Sequence, residues 1–350
     1  MRGTGLHCGM SVAVVAILVL ACVTVHENAA TEFEKDLLVE VDDASGYLIF
    51  GEGRAPLFLV PAQRATANEQ REGDGARVRR CVGTQTVRAM DPLLLFDHYH
   101  VSPPHGFPPH PHRGQSLLSY QIRGSFKHRD SYGGHAEIFA HGAQKIVAGK
   151  GLIHSEMPGA SEPAVGFQIW VNLPMTSKDV EPYYQVVDAA DLVTTFASSA
   201  HHTLVRVVVG KFNEHTGRLS FEPEGNRHTS LLHVDVVPGD AFVWDIPAQC
   251  NALLYVYRGT LVDALGNTFS EHECIYFEAQ TSGSEPQQTR RLSLDALEVP
   301  GHLNSSFVLF VSEPLREPVF HYGPFAASYR HEINAWIGAY QRGEYGVLAK

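Results

Sequence analysis

Two short stretches of this chain carry the residues that could do chemistry. In FPPHPHRGQ, residues 107 to 115, His110 and His112 flank a single proline. Alternate side chains of an extended backbone point to one face, so this spacing delivers two imidazole nitrogens to the same point. In AGKGLIHSEMPG, residues 148 to 159, His154 and Glu156 repeat the spacing. Together the four residues offer three imidazoles and a carboxylate. That donor set suits a borderline divalent metal such as Fe(II), Mn(II), Ni(II) or Cu(II), and it leaves positions open for substrate or dioxygen when coordination is five- or sixfold. A structural zinc site would instead be closed by four ligands, commonly with cysteine, and the sequence has no Cys-x-x-Cys. A rival pair stands in Asp97-His98-Tyr99-His100, and His105, His128, His135 and His141 crowd the same region. Spacing does not choose between the pairs that begin at 98 and 110.

The elements that would position these residues are strands. From Cys81 to about residue 312, short apolar runs such as LLLF, SLLSYQI, FQIWVNL, LVRVVVG, LLYVYRG and SFVLFVS recur between Gly, Pro, Asn and Asp, and nothing among them sustains a helical period. The pattern is all-β and long enough for two sandwiches or barrels. His110 and His154 are 44 residues apart, room for about three or four strands. In a barrel this return is expected to bring the second pair opposite the first across the interior. One helix is expected at the C-terminus, in SYRHEINAWIGAYQRG, with Ser328 as its cap. Ile333, Trp336, Ile337 and Tyr340 form its apolar stripe, packed on the sheet, and Gly343 ends it.

Composition narrows the function. Of 350 residues 44% are hydrophobic, ample for packed cores, and two domains of ordinary size are expected. Lys plus Arg is 27 against 38 for Asp plus Glu, and a net charge of -11 argues against direct nucleic-acid binding. The apolar run from Val12 to Val25 is short for a membrane-spanning helix and suits the core of a secretory signal. Residues 1–30 are therefore expected to be a signal peptide or, if uncleaved, a membrane anchor, which directs the chain to the secretory pathway or outside the cell. Residues 31–78 read as an N-terminal extension of uncertain short strands followed by a linker, since 63–80 is charged and lacks apolar periodicity. Cys81, Cys250 and Cys274 would survive signal removal, too few for a disulfide scaffold. Cys250 and Cys274 could pair, or both could be buried as small hydrophobes.

A resemblance goes further than spacing. RRCVGTQTVRAMDPLLLFDHYHV, GFPPHPHRG, AGKGLIHSEMP, GFQIWVNLP and SEPLREPVFHYGPF follow one another in the order typical of the pirin family, over residues 79 to 345. The resemblance implies two cupin β-barrels, jelly-roll-like and packed face to face, with a C-terminal helix. The metal-binding cupin would occupy residues 79–195, and residues 196–350 would hold a metal-free cupin and the closing helix. Carried over residue by residue, the family's ligands fall on His110, His112, His154 and Glu156, holding one divalent transition metal, Fe(II) foremost, with Mn, Ni or Cu as alternatives. His98 and His100 fall in a segment that supplies no ligand. The implied activity is that of quercetin 2,3-dioxygenase: a flavonol or related aromatic enediol and dioxygen as substrates, Glu156 as catalytic ligand or base, and an apolar lining that includes Phe167 and Trp170. The alternative is a non-catalytic iron-binding pirin, a redox-sensitive regulator that binds a protein partner in the nucleus or cytoplasm. Where pirins usually read HPHRGFE this chain has HPHRGQS, so Gln115 and Ser116 replace an aromatic and a carboxylate, which bears on metal preference and ligand orientation.

Overall fold

The computed structural model describes residues 57–348 apart from 160–161, 198–201, 281–287 and 298–303. It also describes a separate unit in which Val39–Asp42, Tyr47–Phe50 and Gly53–Arg54 pair as a small antiparallel sheet. The expected signal or anchor, Val12 to Val25, lies outside the described residues.

Residues 57–348 build two β-barrels, each with a seven-stranded and a four-stranded sheet. In the first barrel the large sheet is centred on Gln115–Arg123, Ala164–Asn172 and Leu93–Val101, and the small sheet runs His135–Phe139, Ser125–Asp130, Leu152–Pro158, Phe107–His112. In the second, Ser230–Val236, Ser305–Ser312 and Asn251–Arg258 form the centre of the large sheet. The two large sheets pack face to face. Phe96, Leu118, Tyr120, Phe167 and Ile169 meet Leu231, Leu253, Tyr255, Val308 and Phe310 in one core. A strand in such a sheet is covered on both faces, which is why all eight residues of SSFVLFVS are buried and its run reads as continuously apolar. The inside of the second barrel is apolar too, filled by residues such as Phe242, Trp244, Ile246 and Leu254.

The charged stretch read as a linker contains two edge strands. Gln63–Thr66 adds to Glu273–Phe277 of the second barrel, and Glu69–Glu72 adds to Ala76–Val82 of the first. Their side chains are mostly exposed on both faces, so no apolar period marks them, and the backbone ladder is supplemented by the Arg64–Glu273 and Arg80–Glu72 pairs. The helix runs Arg330–Gln341, with Tyr329 rather than Ser328 as its cap. The Glu332 carboxylate accepts from the Ser328 and Tyr329 N–H groups, while the Ser328 side chain is buried. Ile333, Trp336 and Ala339 pack with Phe325, Ala327 and Ile153, so the helix backs the strand that carries His154, and Tyr340 faces outward.

Of the two arrangements open to Cys250 and Cys274, pairing is not found, and the buried free thiol is found for Cys250 alone. Cys81 bonds Cys274, joining a strand of the first barrel to one of the second, and Cys250 is a free buried thiol. Cys250 belongs to the interior of the second barrel and Cys274 to the interface core, so the two thiols sit on opposite faces of one sheet and cannot meet.

Histidines at this interface are expected to make the protein acid-labile. His233 is buried between the Tyr120 and Tyr257 hydroxyls at 2.7 and 2.6 Å, and His98 stands 3.1 Å from the Tyr255 hydroxyl. Burial pushes His233 below the ordinary imidazole range and His98 down to about 3. Both are neutral when folded and take up a proton below about pH 6.5 when unfolded, so the unfolded chain binds more protons as pH falls. Stability is therefore expected to drop as pH falls from about 6.5 toward 3, by up to about 1.4 kcal/mol per pH unit for each such imidazole. Urea midpoints at pH 7 and pH 5 check it: equal midpoints would contradict the assignment.

Candidate metal centre

Phe107–His112 and Leu152–Pro158 are antiparallel neighbours in the small sheet of the first barrel, with His154 directly opposite His110 and Leu152 opposite His112. The two pairs thus meet side by side on one sheet, rather than across the barrel interior as the 44-residue return suggested. The chain comes back through Ser125–Asp130, which flanks Leu152–Pro158 on its other edge and sets His128 opposite Glu156. The register shifts between His154 and Glu156, a bulge that re-aims the residues around it.

The donor atoms of His110, His112 and His154 lie within 4.8 Å of one another. The Nε2 atoms of His110 and His154 are 3.0 Å apart. Two nitrogens each about 2.1 Å from one metal and at right angles are about 3 Å from each other, so this is the spacing of adjacent ligands. Burial, with neighbouring imidazoles adding to it, holds His112 and His154 well below the ordinary imidazole range. At neutral pH they present lone pairs rather than positive charge. The His112 Nε2 is buried and has no hydrogen-bond partner among the described residues, a condition that costs free energy unless something satisfies it. A divalent cation against the three imidazoles would do so, and the donor set fits one.

Glu156 is brought near without joining the triad. Its carboxylate, 4% exposed, accepts from Ser119 Oγ at 2.7 Å and Gln144 Nε2 at 2.5 Å, and it groups with His154 and His128 rather than with His110 and His112. His154 belongs to both groups. His128, which the sequence presented only as one of many histidines, is buried, lies 3.0 Å from the Asp130 carboxylate and stacks on Tyr184. Its signal was the alternation of SFKHRD, in which Lys127 and Arg129 face outward and leave His128 facing in. The rival pair turns away. His98 faces the second barrel, and His100 stands 3.4 Å from the Arg77 guanidinium.

Of the two departures, Gln115 sits directly behind the triad, whereas Ser116 shares the face of Leu118 and Tyr120 and points toward the core between the barrels. Gln115 places its amide nitrogen 2.8 Å from His112 Nδ1, while its Oε1 and the buried Ser116 hydroxyl find no partner among the described residues. As it stands the amide nitrogen also donates to the Pro324 carbonyl at 3.4 Å; rotation of the amide would exchange its ends and present Oε1 to His112, the acceptor that the remote N–H of a ligand imidazole needs. Trp170 lies edge-on to the His112 ring, 4.9 Å between centroids, and lines the cavity above the triad. Phe167, three positions earlier, points through the sheet to the interface core, where it stacks on His98, so only one of the two expected lining aromatics is there.

The turn after His112 is locked from behind. The Arg113 guanidinium lies 4.4 Å over the Trp336 ring and pairs with Asp179 at 2.8 Å. Buried Lys178 donates to the Gly114 carbonyl, the Asn172 amide oxygen and the Ala326 carbonyl at 2.9, 2.7 and 2.7 Å. Gly114 has φ +78°, and a Cβ there would collide with the Ala326 carbonyl and press on Trp336. Gly114→Ala is expected to cost about 2 kcal/mol of stability and to weaken metal binding by moving His112; denaturation and metal titration of the purified variant read both effects.

Two of the triad, His110 and His112, line a cavity of about 1330 Å³. His110, His112, Glu156 and Trp170 form one wall, and Phe320 to Pro324 with Ile333 and Ile337 of the helix form the other.

Comparison with known proteins agrees with this architecture. The pirin family model matches residues 75–171, and the model of the pirin C-terminal cupin domain matches residues 231–346. Human Pirin is 34% identical over 278 residues, covering 77% of this chain and 88% of that one. A protein of Vibrio cholerae whose name provisionally makes it a quercetin 2,3-dioxygenase is 34% identical over 304 residues, covering 82% of this chain and 95% of its own length. The crystal structure of a quercetin 2,3-dioxygenase from Acinetobacter baumannii superposes with a TM-score of 0.72 at 24% identity, over 83% of this chain and 99% of that one, a likeness of fold. With two family models in register with its two barrels and relatives matched over most of their length, the chain belongs to the pirin family of two-cupin proteins.

Proposed function

We propose that the protein is a metal-dependent dioxygenase acting on a flavonol or a related aromatic enediol. The observation that carries this reading is the histidine triad of His110, His112 and His154, of which His110 and His112 line a cavity large enough for a fused aromatic ligand. The provisional name of the Vibrio relative supports it. A divalent transition metal held by the three histidines, with Fe(II) foremost and Mn, Ni or Cu as alternatives, would acidify the substrate hydroxyl and template dioxygen beside it. Trp170 and the apolar side of the helix receive the rings and exclude water. Glu156, which Ser119 and Gln144 steady, would take the hydroxyl proton of the bound enediol. We further infer export of the chain: a disulfide between the barrels suits an oxidising compartment and accords with the apolar run near the N-terminus.

Oxygen uptake with quercetin, measured on protein loaded separately with Fe(II), Mn(II), Ni(II) and Cu(II), tests the enzyme reading. Turnover with at least one metal is expected and should be lost in His112→Ala. A protein that binds metal yet consumes no oxygen with any flavonol would leave the metal-sensing regulator as the better account. N-terminal sequencing of the mature protein tests export.

A further inference from the structure

We propose that the mouth of the metal-site cavity is a receptor for an anionic substituent on the aromatic ligand, with Arg88 and Arg330 as the groups that bind it. This inference rests on the reading that an aromatic ligand occupies the cavity, and it names the class of that ligand: a phenolic aromatic bearing a sulfate or carboxylate remote from its chelating hydroxyls.

Charge accounting at the cavity points there. Three carboxylates line it, those of Glu72, Asp97 and Glu156. Arg80 is spent on two of them, at 2.7 Å from Glu72 and at 2.7 and 2.6 Å from Asp97 in a bidentate pair. Glu156 is engaged by Ser119 and Gln144 beside the triad. Arg88 and Arg330 also line the cavity, are exposed, and make no ion pair or hydrogen bond among the described residues. Arg80 offsets one carboxylate and a divalent metal would offset the other two, so these two guanidinium groups remain as net positive charge. The chain as a whole carries a net charge of -11, and a surplus of the opposite sign at the rim of one concavity draws anions there. Guanidinium groups match the planar oxygen array of sulfate and carboxylate better than an ammonium does.

The lip supplies the second half of the recognition. Phe320 and Tyr322 line the same cavity yet are 41% and 66% exposed, so their rings are left to solvent on its rim. Aromatic faces at the mouth of a cavity offer stacking to a planar ligand whose far end lies among the arginines. A neutral flavonol could use the rings and stack on the guanidinium planes, but it would leave both charges without a counter-ion. An anionic conjugate uses all four groups.

The test compares quercetin with quercetin 3′-sulfate, whose chelating 3-hydroxyl and 4-carbonyl are free, by calorimetric titration of protein loaded with redox-inert zinc. Because no turnover is needed, failure of the oxygenase reading and failure of this inference are distinguishable. The sulfate is expected to bind about tenfold tighter than its parent at low salt, the advantage shrinking as salt rises and the screening length contracts. In the double variant Arg88→Gln, Arg330→Gln the two ligands should differ by less than about twofold, while Arg88→Lys, Arg330→Lys should keep part of the preference. Both variants alter exposed side chains, and their melting curves serve as the folding control. Equal affinities in the unaltered protein would overturn the proposal, as would a preference that survives in the double glutamine variant. Competition by inorganic sulfate at millimolar concentration supports it, and indifference to inorganic sulfate at any concentration counts against it.

Discussion

His154→Ala is expected to abolish metal retention at a cost to the metal-free protein no greater than that of an ordinary buried truncation. His154 is fully buried, provides the Nε2 that faces His110 at 3.0 Å, and is shared by both groups of donors, so no neighbour can take its place. Changes to residues that merely orient a ligand already cost about 10- to 100-fold in metal affinity, and removal of this ligand is expected to exceed about 100-fold. Metal-free stability behaves differently. In the absence of metal, burial keeps His112 and His154 neutral, and the His154 Nδ1 has no hydrogen-bond partner among the described residues, so deleting the ring removes an unsatisfied polar atom and offsets part of the cost of the cavity it leaves. Metal at about 100 times its dissociation constant should stabilise the unaltered protein by about 2.7 kcal/mol. The melting temperature of His154→Ala should not respond to the same metal. His98→Ala, at the interface, should respond as the unaltered protein does. A variant at 154 that keeps the metal-induced shift would mean that the ion sits elsewhere.

Much of this candidate centre was legible because its histidines come from alternating pairs on strands, and alternation is a property of the sequence. Which pairs meet was not. His98 and His100 have the same spacing as His110 and His112, and only the sheet order turns the first pair toward the second barrel or an edge arginine and the second pair into the first barrel. The separation of His110 from His154 suggested opposite walls, but a strand order in which Leu152–Pro158 returns beside Phe107–His112 makes them direct cross-strand partners. Strands covered on both faces announced themselves by continuous apolar runs. Gln63–Thr66 and Glu69–Glu72, polar on both faces, did not, because an edge strand needs only backbone to pair. Cys81 and Cys274 gave no sign of partnership either. Their approach is set by how two sheets face each other, which no local pattern encodes.

That disulfide carries the other large effect. Replacing Cys81 and Cys274 together by serine is expected to lower the stability of the folded chain by about 5 kcal/mol. The bridge joins residues 193 apart, so in the unfolded chain it closes a long loop and removes much of the freedom that the reduced chain would have. The folded state should change little. The interface around the bridge is a continuous apolar core, and the Tyr276 hydroxyl donates to the Cys81 carbonyl at 2.7 Å across the same seam, so the barrels keep their register without the sulfur link. All three triad histidines belong to the first barrel, so metal stoichiometry at low temperature should be unchanged. A lower urea midpoint with intact metal binding is therefore the expected signature, and a reducing agent should produce it in the unaltered protein. Equal midpoints for oxidised protein, reduced protein and the double serine variant would show that the interface core alone holds the barrels together.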